Sequence, residues 1–144
     1  MGSVEKRLRQ VDLSALTRPE LTTATRDDFH EGIELFNAGE FWEAHETWER
    51  VWLHDQTSGR VFFQGLIQVA AGMHQVRRGI YHGADKHIRN AIWKLKPFQP
   101  DCLGVDVSAL LQAVQELHKE VRRLGPGNLQ ANNELLSPEI ILKR

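Results

Sequence analysis

FWEAHETWERVWL, residues 41–53, is the stretch whose reading decides the fold. It places three tryptophans, a histidine and three glutamates in about 3.6 turns of helix. At roughly 100° per residue, Phe41, His45, Trp48 and Trp52 share one stripe, and Glu49 lies one turn past His45 on its flank. An ionisable pair therefore points toward the core. Glu43, Glu46 and Arg50 fall on other sides. Glu46 and Arg50 have the i,i+4 spacing of a surface ion pair worth roughly a few tenths of a kcal/mol.

Working outward, this helix opens at Glu40 after a turn at Gly39 and ends near His54, before the turn signals Gln56, Thr57, Ser58 and Gly59. Upstream, Thr25 and Asp28 have capping-box spacing, and Phe29, Ile33 and Phe36 recur at helical intervals until Gly39. So short a turn makes these two helices antiparallel neighbours. Downstream, residues 60–78 are apolar nearly all round for three turns, which marks a central helix. Gly65, Ala70, Ala71 and Gly72 then mark close approaches of its neighbours.

Gly79 ends that helix. Residues 81–96 form a fourth, with Ala84, Ile88, Ala91, Ile92 and Leu95 inward and Lys86, His87, Arg89, Lys94 and Lys96 on the other face, until Pro97 stops it. Asp106 caps a fifth helix over residues 107–124, and Gly125, Pro126 and Gly127 close it. The apolar tail residues Leu135, Leu136, Ile140, Ile141 and Leu142 surround Pro138, so they are expected to lie extended across the helices. No strand pattern is expected. Helix, glycine turn and helix recur at an offset near 40 residues. The fold class is all-α: a bundle of about five helices built from two stacked antiparallel helical hairpins, a C-terminal helix and an extended tail. Residues 1–24, polar and interrupted by Pro19, read as a flexible N-terminal arm, and residues 25–144 as a single helical domain.

Composition bounds the function. With 144 residues the chain fills one domain. A formal net charge of −1 gives no global field for polyanions, so nucleic acid is not an expected partner. No run nears the roughly 18 apolar residues of a membrane span, and the N-terminus lacks a signal-peptide apolar region. A single cysteine, Cys102, fits a reducing compartment, and the expected location is cytoplasmic. No Gly-rich phosphate loop, nucleophile elbow or cysteine pair is present, and Cys102 reads as an incidental loop residue. Partners are otherwise unspecified, a homo-oligomer among them.

The segments FNAGEFWEAHETWERVW, residues 36–52, and QGLIQVAAGMHQVRRG, residues 64–79, resemble the family catalogued as domain of unknown function 309. Its small bacterial and archaeal members are labelled predicted metal-dependent hydrolases. The resemblance covers about half the chain and implies a bundle of helical hairpins. The motif positions carried over are His45, Glu46, Trp48 and Glu49, then Gln64, Gln68 and His74.

Two chemistries fit these residues. In the first, His45 and Glu49 stand where H-E-x-x-H metalloproteases place two histidines one turn apart, and His74 supplies a third ligand from the central helix, with His87 as its substitute. One divalent ion (Zn, Mn or Mg) would then activate water with Glu46 as base, and Gln64, Gln68 and Trp48 would orient the substrate. In the second, His45 and Glu49 belong to a buried hydrogen-bond network with Gln64 and Gln68, in a noncatalytic helical-hairpin interaction module without cofactor. His54, His82 and His118 read as surface residues, and Trp42, Trp48, Trp52 and Trp93 as core.

Overall fold

The computed structural model describes residues 16–129 and 137–143. Among these residues five helices follow one another: α1 (Thr23–Asn37), α2 (Phe41–His54), α3 (Val61–Arg77), α4 (Tyr81–Leu95) and α5 (Val107–Leu124). Single 3-10 turns occupy Ser58–Arg60 and Lys96–Phe98. The all-α expectation holds, and the two hairpins end their first helices identically. Gly39 and Gly79 both adopt positive φ, 83° and 72°. In each, the residue after the glycine donates its N–H five residues back, Glu40 to Leu35 O and Ile80 to Gln75 O. That closing bond absorbs an orphan carbonyl and reverses the chain.

α3 is the central helix. It packs on α2 and α4, and α5 packs chiefly on α4. Phe62, Phe63, Leu66 and Ala70 are fully buried in the core with Phe29 and Trp48. A Cβ at Gly65 would meet Leu95 Cδ2 at 2.7 Å, and one at Gly72 would meet Ile88 Cγ1 at 2.8 Å, so both glycines admit α4. Trp48 leans on α1 and donates its indole N–H to Phe29 O at 3.1 Å.

Several expectations are corrected. The capping box is Thr22 with Thr25, so α1 starts before the Thr25–Asp28 pair. Arg50 faces α1 and meets Asp28 at 3.6 Å, and among the described residues it forms no ion pair with Glu46. Strands do occur, and Cys102 is not in a loop: β1 (Asp101–Cys102) and β2 (Val105–Asp106) make a small antiparallel hairpin, with Asp101 opposite Asp106.

The tail does run extended. Leu142 bridges Val105, and Asn37 holds both backbone groups of Ile140 at 2.8 and 3.0 Å. Leu135 and Leu136 lie outside the described residues, as do positions 1–15 of the arm. Residues 16–22 run without helix, Thr17 bonding Ser58 and Arg18 reaching Asp101 O at 2.6 Å.

Candidate functional site

Three helices turn polar side chains to one cleft. α2 and α3 are antiparallel, so the end of one lies level with the start of the other. This register sets Glu49 and Trp52 of α2 opposite Gln64 and Gln68 of α3. Together with Ile67, also of α3, and Lys94 of α4 they line a cavity of about 170 Å³. His45 stands behind Glu49, with Nε2 3.3 Å from Oε1. The pair lies at the rim rather than in the core: the Glu49 side chain is 51% exposed and that of His45 17%.

The cleft wall is polar but incompletely satisfied. Trp52 Nε1 and Gln68 Oε1 are buried without a hydrogen-bond partner among the described residues, and so is His45 Nδ1 behind the rim. Buried polar atoms of this kind cost roughly 1–3 kcal/mol each if left unpaired, so they cluster where something else satisfies them. Lys94 is 1% exposed, an uncommon position for an ammonium group. Arg60 places its guanidinium carbon 5.0 Å from the centre of the Trp52 ring. His87, on the same helix as Lys94, has its pKa lowered, first by burial and then by Lys86, His45 and Lys94.

The expected three-ligand metal set does not assemble. His74 sits level with Trp42, whose ring is 5.1 Å from that of His74 and stacks on His45 at 5.0 Å. Glu49 is seven residues farther along α2, about 10 Å of helix. Among the described residues no three His, Cys, Asp or Glu side chains form a group able to hold an ion, so His45, Glu49 and His74 do not make the three-ligand set. Glu46, the expected base, is exposed and does not line the cleft. Trp48, expected to orient a substrate, is sealed against α1, and Trp52, expected in the core, lines the cleft instead. Gln64 and Gln68 both line the cleft.

Other side chains change place as well. Trp42 is 46% exposed rather than core. His118 is not a surface residue: its Nε2 meets Asp85 Oδ1 at 2.8 Å, and Asp85 also takes Arg89 at 3.3 Å, tying α5 to α4. Lys94 was missed because a lysine among basic neighbours reads as solvated. The signal existed: at 100° per residue it lies about 60° from Ala91 on the inward stripe, and His87 about 40°. Cys102 lies buried on β1, and burial pushes its thiol pKa up to about 11.

Fold and cleft together define a small all-α protein of helical hairpins with a polar cleft among its second, third and fourth helices. The family model described as Domain of unknown function (DUF309) matches residues 29–87, from within α1 to His87 of α4, so this segment of the chain is similar to that family. No curated protein matches the chain significantly. Among the described residues no helix is long and apolar enough to cross a membrane.

Proposed function

We propose that the cleft is the working site of a small-molecule hydrolase in which Glu49 is the acid–base group and His45 positions it. The observation that carries this reading is a carboxylate paired with a histidine at 3.3 Å on the wall of a cavity whose other polar atoms lack partners. Catalytic carboxylates sit in clefts of this kind, where wall groups hold the substrate and the acid–base group reaches it. Glu49 accepts a proton from a water attacking a carbonyl or phosphoryl centre and returns it to the leaving group. His45, stacked beneath Trp42, limits the rotamers open to Glu49.

The test is hydrolysis of p-nitrophenyl acetate and p-nitrophenyl phosphate by the full chain and by Glu49→Gln. A positioned carboxylate contributes roughly 10²- to 10⁴-fold, so Glu49→Gln loses at least about 10²-fold on the accepted ester while keeping its melting temperature. Equal rates for the two proteins, or no turnover above buffer, would refute the reading and leave the cleft a binding site in a noncatalytic module.

A further inference from the structure

We propose that the cleft is one end of a longer groove along α3, which binds a short peptide in extended form by pairing its main-chain amides with the unpartnered polar atoms of Trp52, Gln68, His45, His87 and Gln75. The inference rests on the reading of the cleft as a working site and names its substrate class, a chain of amides.

The groove follows from the burial of α3. From Val61 to Val76 every residue is buried except Gln64, Gln68, Ala71, His74 and Gln75. Gln64, Gln68, Ala71 and Gln75 recur at helical spacing and form one stripe. α3 packs on both α2 and α4, which make little contact with each other, so the stripe is the floor and those helices are the walls. Trp52 and Gln68 stand at the cleft end. One step along, a Cβ on Gly72 would lie 3.5 Å from His87 Cβ, and the charge of His45 reaches His87 from the opposite wall. Ala71, beside Gly72, keeps the floor low at that level. At the far end Gln75 leans on α4, its Cδ 3.2 Å from where a Cβ of Gly83 would stand.

The unpartnered atoms mark the same line. Among the described residues six buried side-chain nitrogen or oxygen atoms lack a hydrogen-bond partner, and all but Asp55 Oδ2 belong to this groove: Trp52 Nε1, Gln68 Oε1, His45 Nδ1, His87 Nδ1 and Gln75 Oε1. Such atoms are rare in a folded chain, so their alignment points to a ligand that pairs them. Their chemistry selects its class. The indole nitrogen only donates, the glutamine oxygens only accept, and each imidazole nitrogen does either according to its tautomer. An anion leaves both glutamine oxygens unpaired, and a cation leaves Trp52 unpaired. A peptide main chain offers N–H and C=O in alternation and serves all of them. From Gln64 to Gln75 the floor runs about 16 Å, the length of roughly five extended residues. Glu49, half exposed at the rim, faces the carbonyl that lies at the cleft end.

The experiment follows the indole N–H and glutamine side-chain amide resonances of the ¹⁵N-labelled full chain at fixed pH. The probe is acetyl-Gly-Ala-Gly-Ala-Gly-amide, compared with the same peptide methylated on every main-chain nitrogen and with acetyl-alanine amide. The expected result is a saturable shift of Trp52, Gln68 and Gln75 with the pentapeptide, while Trp48, which donates to Phe29 O, stays in place. The methylated peptide keeps its carbonyls but has no N–H for the glutamine oxygens, and it binds about tenfold more weakly or worse. Gln75→Met, which keeps the length of the side chain, weakens the pentapeptide about fivefold or more and leaves the short amide, which reaches only the cleft end, unchanged. A merely structural role for Gln75 would move both probes alike.

Trp52 shifting linearly in step with the other indoles overturns the proposal, and so does equal binding of the methylated peptide. A folded Gln75→Met that titrates like the parent does the same. The parental titrations decide even where Gln75→Met does not fold. An ester hydrolysis that depends on Glu49, without saturation by the pentapeptide, removes the groove and leaves the catalytic reading standing. Saturation at Trp52 and Gln75 with Glu49→Gln as active as the parent on the ester does the reverse.

Discussion

At the residue scale, the packing of single side chains decides what the chain tolerates. A Cβ on Gly32 would collide with the Trp48 indole, which is fully buried and bonded to Phe29 O. Neither ring nor backbone can give way without breaking that bond. Gly32→Ala is therefore expected to cost about 1–3 kcal/mol, read from the urea midpoint, even though alanine favours a helix. Cys102 offers a chemical readout of burial. With its thiol pKa pushed up to about 11, it carries almost no thiolate at pH 8, so a thiol-disulfide reagent is expected to label it in denaturant and hardly at all in the native chain. Fast native labelling would show that β1 opens. What the sequence conveyed of these residues was their face. Gln64 and Gln68 face the cleft because angular position follows from helical period, Glu49 stands at its rim rather than in the core, and Lys94 was obscured because residue type outweighed the same angle.

At the element scale, angle is not enough, since two residues meet only if they also share a level along the helix axes. The sequence pairs His45, Glu49 and His74 by face. The antiparallel register of α2 and α3 separates them by level, setting His74 against Trp42. A protein without the three-ligand centre is expected to show a melting temperature indifferent to EDTA, with substoichiometric zinc, manganese and magnesium by inductively coupled plasma mass spectrometry. One tightly held ion per chain, lost in His45→Ala, would contradict this register. The five helices themselves were legible because their caps and periods are local signals, and α5 was read with its observed bounds. The β1–β2 hairpin was not, because two-residue strands have no period and Val105 is paired with Leu142, far along the chain. The repeated turn at Gly39 and Gly79 was legible as an echo in sequence and recurs as the same hydrogen bond in structure. Gly79→Ala is accordingly expected to lower stability by about 1–2 kcal/mol in chemical denaturation, because alanine must adopt φ near 72°.

For the molecule as a whole, the cleft links stability to pH through His87. Its imidazole is half-buried on α4, with Nδ1 buried and unpartnered among the described residues. Burial is the first cause of its lowered pKa, and the charges of Lys86, His45 and Lys94 act in the same direction. The folded chain therefore binds this proton less readily than the unfolded chain, whose ordinary histidine value is 6.5. Above that value neither state is protonated and the native packing keeps its full contribution. As pH falls through 6.5 the unfolded chain gains the proton first, and folding stability declines until the folded pKa is also passed. The melting temperature is thus expected to drop between pH 7.5 and pH 5, and to drop less in His87→Gln, which keeps a polar side chain but cannot take up a proton in this range. Parallel pH dependences of parent and variant would place the titrating group elsewhere and remove His87 from the electrostatics of the cleft.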